Sequence, residues 1–358
     1  MRSIQLSYGR LPPSLERPTT ARPLRPVPAA TVPRVDLDVV FLGTGGSVPT
    51  ARRATACILA RLGGDRLLFD CGEGSQRQMQ RSTGLVQADE IYLTHFHADH
   101  YLGVPGLLKT YDLTDRQVPL RIVGPPGLID LFGSLRRIFG RISYELELVE
   151  LGEGEAIRRD GYEVRAFPVE HRMLAYGYAI VEDERPGHLD PKRAAALGVA
   201  VGPDLGRLQR GEEVEGSKGT VRPDQVMGAT RAGRKVVITG DTAPAEMTRL
   251  AAHEAQLLVH DASFADAETD RALETGHSTA RQAADLAAGA GVEMLALVHA
   301  STRYDVRDLL AEAREVMPGA IAPRDFDVVE IPFPERGGPR LIERGAKPPR
   351  PSERPGQP

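Results

Sequence analysis

Two cysteines are all that the 358 residues hold, and neither Cys57 nor Cys71 falls in a paired ligand spacing such as C-x-x-C. Thiolate metal sites of that kind are therefore excluded, and both side chains read as reduced thiols that hold no metal. Long apolar runs are missing as well. None approaches the roughly 18 residues that cross a bilayer, and the N-terminus lacks the continuous apolar stretch of a secretory signal. No membrane partner is expected, and the chain reads as a cytoplasmic protein. Charge of one sign does not dominate, since 45 Lys and Arg face 49 Asp and Glu for a formal net charge of -4. A surface coated in positive potential is excluded, although a local basic face for nucleic acid is not. Internal repeats at solenoid or propeller periods are absent too.

What remains is an ordinary globular composition, 41% hydrophobic and 26% charged. Residues 1–35 form a Pro/Arg-rich N-terminal arm without apolar periodicity. It cannot bury enough surface to offset chain entropy and is expected to be disordered, as is the proline-rich tail 346–358. Between them, β-type runs at 37–42, 57–62, 66–69, 90–93, 119–123, 145–151 and 162–168 continue with 176–181, 235–239, 256–259, 294–298 and 326–331. Helical patterns fit 75–82, 128–138, 243–252, 279–290 and 307–316. The interleaving predicts an α/β layered architecture. Residues 184–233 break the rhythm with Gly, Pro and charge, and structureless connections of that length are usually functional or flexible.

Chemistry concentrates in Thr94-His95-Phe96-His97-Ala98-Asp99-His100, where three imidazoles and a carboxylate follow an apolar run. Imidazole suits zinc and other borderline ions, and carboxylate adds a harder oxygen ligand. The alternation of His95, His97 and Asp99 has the period of an extended chain, which sends them to one side. His95, His97, His100, His171, His277 and His299 all sit where a strand ends or a loop begins, and Asp241 directly follows a strand in Gly240-Asp241-Thr242. Such positions present catalytic groups from a rigid scaffold. They divide into two sets: His95, His97 and His171 for one ion, Asp99, His100 and His299 for a second, with Asp241 between them. Two adjacent ions make a strong nucleophile of water at neutral pH and stabilise both oxygens of a phosphoryl displacement. Two Zn2+ per subunit are expected, although imidazole and carboxylate alone leave Mn2+ open.

The H-x-H-x-D-H motif at His95 to His100 occurs with Asp70 in Leu67-Leu68-Phe69-Asp70-Cys71-Gly72-Glu73-Gly74, with His171, with Asp241 and with His299. Together these resemble the metallo-β-lactamase superfamily, which implies the αββα four-layer sandwich. Phe41-Leu42-Gly43-Thr44-Gly45-Gly46-Ser47-Val48-Pro49-Thr50, Gly276-His277-Ser278-Thr279 and His299-Ala300-Ser301-Thr302-Arg303-Tyr304 resemble, more narrowly, the ribonuclease Z family of tRNA 3′-processing endonucleases. The likeness implies a catalytic domain over 36–335. Gly202-Pro203-Asp204-Leu205-Gly206-Arg207-Leu208-Gln209-Arg210-Gly211 resembles the Gly-Pro motif of the arm with which that family holds tRNA. Residues 184–233 are thereby implied to be an inserted flexible exosite arm, with Gly202 and Pro203 at its motif. Its candidate phosphate contacts are Lys192, Arg193, Arg207, Arg210, Lys218 and Arg222, cations that neutralise a backbone without reading sequence. One departure stands out: Asp261 occupies a place where the family pattern has a glutamate, and Ser263 one where threonine is commoner.

The implied activity is cleavage of precursor tRNA after the discriminator nucleotide, leaving a 3′-hydroxyl, by an enzyme that works as a homodimer. Asp99 is expected to steer the attacking water while ligating, and His277 to bind phosphate or protonate the departing oxygen, against a plainer reading as a helix-start residue. Asp70 is expected to fix the tautomer of a ligating histidine, or else to cap the helix that follows. Gly43 to Gly46 read either as a tight strand exit or as backbone that approaches phosphate. Two rivals stand beside this reading: another phosphodiesterase on the same fold, which needs no arm, and a non-catalytic RNA-binding relative, which needs no complete ligand set.

Overall fold

The computed structural model describes residues 2–6 and 37–343, so most of the N-terminal arm and the whole tail 346–358 lie outside the described residues. The chain folds as two compact units, one of Met1–Ala156, Arg165–Ala179 and Val236–Pro358, the other of Ile157–Val164 and Ile180–Lys235.

In the first unit, strands of one sheet lie in the order Arg2–Leu6, Leu146–Glu150, Leu120–Gly124, Glu90–Tyr92, Asp65–Phe69, Cys57–Leu62, Leu37–Gly43, Val328–Glu330 and Arg340–Ile342. Arg2–Leu6 corrects the expectation of disorder over 1–35: it pairs antiparallel with Leu146–Glu150, Arg2 opposite Glu150. The reason is local. Five residues suffice to satisfy the backbone groups of an open sheet edge, whatever the proline-rich composition that follows. Alternate residues of the sheet part to its two faces. Val40, Leu42, Leu59, Leu68, Ile91, Ile122 and Leu148 pack with helices Gly103–Leu113 and Leu128–Phe139. In the second of these helices Leu128, Phe132, Leu135 and Phe139 repeat at helical spacing and are buried, each stabilising the packing by roughly 1.5–3 kcal/mol.

The second sheet runs Met294–Val298, Leu257–Asp261, Lys235–Ile238, Tyr176–Glu182, Tyr162–Pro168, Ala156–Arg159, and its first three strands are parallel. Helix Ala280–Gly289, begun by a Thr279/Gln282 capping box, packs on Leu257–Asp261 and Met294–Val298 and carries helix Val306–Val316 beside it. Between the sheets, Phe69 and Tyr92 stack at 5.1 Å and Tyr92 meets Tyr178 edge-on at 5.1 Å. The Tyr178 hydroxyl also donates to the carbonyl of Leu93 at 2.8 Å. Helix, sheet, sheet and helix thus form the four expected layers. Helix Gly103–Leu113 is absent from the sequence reading because Gly103, Pro105 and Gly106 obscure its start; proline is tolerated there, in a first turn.

The second unit is not the structureless loop that 184–233 suggested. It contains helices Pro191–Ala196 and Pro203–Gln209 and a hairpin of Val214–Gly216 with Gly219–Val221. Asp190 caps the first helix by accepting from the amides of Lys192 and Arg193, and Pro191 follows it, a combination suited to a helix start. Ala194, Val199, Leu208, Val214, Val221 and Val226 form a small core. At the unit's base the two ends of the insertion are clamped: the Arg234 guanidinium donates to Glu182 at 2.7 and 2.5 Å, and the Glu182 amide to the carbonyl of Arg234 at 3.0 Å. Since Leu208 is fully buried in so small a core, Leu208→Ala is expected to cost about 2–5 kcal/mol locally. Hydrogen exchange checks this, with protection lost over residues 191–226 and retained in the Leu257–Asp261 strand.

Candidate metal centre

Strand ends deliver most of the expected side chains within the first unit. His95 and His97 follow Glu90–Tyr92, His171 follows Tyr162–Pro168, Asp241 follows Lys235–Ile238 and His299 follows Met294–Val298. Asp99 and His100 lie on a short helix, Ala98–Tyr101, which begins immediately after the extended His97. The period-two reading therefore ends at His97. The helical turn swings Asp99 away from His95 and His97 and toward His299.

Two sets of donor atoms result. In one, His97 Nδ1 stands 3.0 Å from His95 Nε2 and 3.2 Å from His171 Nε2, while Asp241 Oδ2 lies 3.8 Å from His95 Nε2. In the other, Asp99 Oδ2 lies 3.3 Å from His299 Nε2 and 3.5 Å from His100 Nε2, and Asp241 Oδ1 is 3.3 Å from both rings. Ligands placed tetrahedrally about 2.0–2.1 Å from zinc would stand about 3.3 Å apart, so this spacing accommodates ions. Buried His100 Nε2 and Asp241 Oδ1 have no hydrogen-bond partner among the described residues. Such orphaned groups cost about 1–3 kcal/mol each, and a cation between them removes that cost.

Charge points the same way. Burial raises Asp99 and Asp241, but His100 and His299 outweigh it and hold both well below the usual carboxylate range. Burial lowers His95 and His171, leaving neutral rings able to donate a lone pair. The outer nitrogens are tied down. His95 Nδ1 meets Thr94 Oγ1 at 3.0 Å, His100 Nδ1 meets Asp70 Oδ2 at 2.7 Å, His171 Nδ1 meets the Gly276 carbonyl at 2.7 Å and His299 Nδ1 meets Ser263 Oγ at 2.8 Å. Such contacts fix tautomer and ring orientation. Asp70 makes this contact and does not cap the next helix, whose N-cap is Gly74.

Two glycines are dictated by close approach. A Cβ on Gly46 would meet the His299 carbonyl at 2.5 Å and its ring at 2.8 Å, so the glycine-rich loop lies directly on that imidazole. Gly276, at φ +73°, would bring a Cβ within 3.0 Å of His171 Nδ1. Thr94, Ser263 and the Gly276 carbonyl are not among the sequence candidates. Thr94 and Ser263 carry a faint signal in their positions beside strand ends, whereas a carbonyl has none.

Asp261 and His277 form a further pair. Asp261 Oδ2 lies 2.8 Å from His277 Nδ1, and Asp261 Oδ1 accepts from the Ser263 hydroxyl at 2.6 Å. Burial opposes charge on His277, but Asp261, with Asp241 behind it, lifts the ring to about 9. The aspartate thus reaches its histidine despite being shorter than the glutamate of the family pattern. His277 is also stacked on His299, their centroids 5.4 Å apart.

In the second unit the six expected cationic contacts are all exposed, but they are not equivalent. Arg207 pairs with Glu212 and Asp204, Arg210 with Glu212 and Arg222 with Asp224, while Lys218 donates to the Ala196 carbonyl. Lys192 and Arg193 have no ion pair among the described residues, and Gly202 and Pro203 begin helix Pro203–Gln209. Among the described residues no helix is long and apolar enough to cross a membrane. Removing the charge behind His100 isolates one outer contact of the centre. Asp70→Asn is expected to weaken Zn2+ binding by about 10–100-fold, read by competition with a chromophoric chelator.

Comparison with known proteins agrees with this geometry. Residues 50–299 match the family model described as the metallo-beta-lactamase superfamily. The chain is 48% identical over 307 residues to Ribonuclease Z of Halorubrum lacusprofundi, covering 84% of this chain and 99% of that protein. It is 45% identical over 302 residues to Ribonuclease Z of Myxococcus xanthus, covering 83% and 98% respectively. The crystal structure of human tRNase Z, short form, superposes with a TM-score of 0.59 at 28% identity, over 82% of this chain and 99% of that one. The chain therefore belongs to the metallo-β-lactamase superfamily and, within it, to the ribonuclease Z family of hydrolytic endoribonucleases.

Proposed function

We propose that the chain is a zinc-dependent endoribonuclease that removes the 3′ trailer from precursor tRNA, cutting after the discriminator nucleotide to leave a 3′-hydroxyl. One observation carries the reading: seven donor side chains, from four separate strand ends and the short helix Ala98–Tyr101, form two sets that share Asp241, in a chain 48% identical to a Ribonuclease Z. His95, His97, His171 and Asp241 would hold one ion, and Asp99, His100, His299 and Asp241 the other. Bound there, two Zn2+ supply an activated water and neutralise charge on the phosphate, and Mn2+ suits the same donors.

The protein's own groups do the rest. Asp99, bonded to the Ser47 amide at 2.9 Å, is held at the mouth of the pair, where it orients the attacking water. His277 keeps its Nδ1 proton and donates it in a hydrogen bond to Asp261, which favours the protonated ring and leaves the Nε2 proton to pass to the departing 3′-oxygen. In the arm, Lys192 and Arg193 are the cations ready for phosphate, with Gly202 and Pro203 at the turn between them and Arg207, Arg210, Lys218 and Arg222. The last four must exchange their present partners for phosphate, so binding is expected to be weak in salt. A homodimer, in which one subunit's arm holds tRNA for the other's centre, and a cytoplasmic location are supported by the family resemblance.

Three outcomes test this. Purified protein stripped with chelator should lose cleavage of a precursor tRNA and regain it with Zn2+ or Mn2+; cleavage of small phosphodiesters alone would sink the tRNA assignment. His277→Ala should lower kcat by about 10²–10⁴-fold with KM nearly unchanged. Mixing His277→Ala protein with a variant lacking 190–230 should restore activity that neither has alone, and failure to do so would remove the arm-in-trans dimer.

A further inference from the structure

A second concavity opens beside the metal centre within the first unit. It encloses about 1570 Å3, and its walls are drawn from residues 45–54, 73–81 and the stretch from Ala300 to Asp327, together with Leu341 and Glu343. Gly45, Ala300 and Ser301 are among the residues that line it. Lining residue Ala300 adjoins His299, and between lining residues Gly45 and Val48 the Gly46 amide donates to the Ala300 carbonyl at 3.3 Å and the Ser47 amide to Asp99 at 2.9 Å, so the cleft lies next to the centre.

Its charge differs from that of the chain as a whole. Exposed Arg52, Arg77, Arg81, Arg307, Arg314 and Arg324 line it, against exposed Glu73, Asp305 and Glu343. Arg307 is taken up by Asp305 at 2.5 Å, whereas Arg52, Arg77 and Arg324 make no ion pair with a described residue. Two half-buried rings complete the surface, Tyr304 and Phe326, and the Arg81 guanidinium lies 5.1 Å over the latter. The floor is rigid. Buried Asp325 accepts from the Thr44 hydroxyl, the Ala54 amide and the Gln78 side chain at 2.7 to 2.8 Å, tying all three walls together.

Cations spaced along a groove, with aromatic rings between them, fit single-stranded nucleic acid, whose bases are free to stack while its phosphates are neutralised. A duplex hides its base faces and would leave the rings without a role. We propose that this cleft binds the single-stranded RNA that continues past the scissile phosphate, the trailer strand. This rests on the precursor-tRNA reading above. The Asp325 hub holds the arginines and rings in place before RNA arrives, so the trailer is guided away from the ions as well as cut.

The test pairs two measurements on the full chain and on an Arg77→Ala/Arg324→Ala double variant. The first is fluorescence anisotropy with a 5′-phosphorylated RNA oligonucleotide of trailer sequence. The second is KM for precursor tRNAs whose trailers range from one nucleotide to about ten. Wild-type protein is expected to bind the oligonucleotide, with KM falling as the trailer lengthens. The double variant should bind it at least ten-fold more weakly, with a salt slope shallower by about 1.4. It should lose the length dependence while keeping the wild-type KM for the one-nucleotide trailer. Unchanged oligonucleotide binding, or an equal rise of KM at every trailer length, would overturn the proposal; the second result would give the cleft to the tRNA body. Arginine-dependent oligonucleotide binding without precursor cleavage would keep the cleft as a single-strand site and reject the tRNA reading.

Discussion

A single buried carboxylate sets the terms for the rest of the site. Asp241, 3% exposed, turns one oxygen to His95 and the other to His100 and His299. Negative charge in so dry a place is tolerable only beside positive charge, and the surrounding imidazoles do not all carry it, since His95 is kept neutral by burial. Parallel pairing fixes the neighbours. Ile238 lies opposite Val259, and Asp261 opposite Val298, so the loops bearing Asp241, Ser263 and His299 leave the sheet side by side.

Strain collects at the same edge. Asp70 and His299 both adopt the left-handed region, at φ 55° and 62°, as does Ser47 at 52°. A non-glycine residue there costs about 1–3 kcal/mol unless its surroundings compensate. They do so by hydrogen bonds: Asp70 accepts from the Thr94 amide and hydroxyl and meets His100, and the His299 amide donates to the Thr44 carbonyl at 3.0 Å. The contacts that orient the imidazoles are therefore also those that keep the backbone in place.

Legibility in the sequence follows range. His95, His97, Asp99 and His100 are neighbours along the chain, so their purpose shows in seven letters. His171, Asp241 and His299 can be read because strands announce their own ends, and most strands of both sheets lie within a residue or two of their apolar runs. What escapes is pairing at a distance. Nothing in the arm's composition tells that Glu212 takes up both Arg207 and Arg210, and nothing in Asp261 alone shows that it reaches His277. The arginine cleft draws on segments more than 200 residues apart and has no local signature. Arg2–Leu6 is hidden by the prolines after it, and the arm's own core by the shortness of its elements.

The clamp between Glu182 and Arg234 has a consequence for how such a chain can change. The two ends of the insertion, at Glu182 and Arg234, meet at one doorway, with backbone and guanidinium both spanning it. What lies beyond that doorway contributes no strand to the nine-stranded sheet and none of the seven clustered donor side chains. Evolution can therefore vary this segment, or an engineer can transplant it, as a self-contained cassette defined by its two clamped ends.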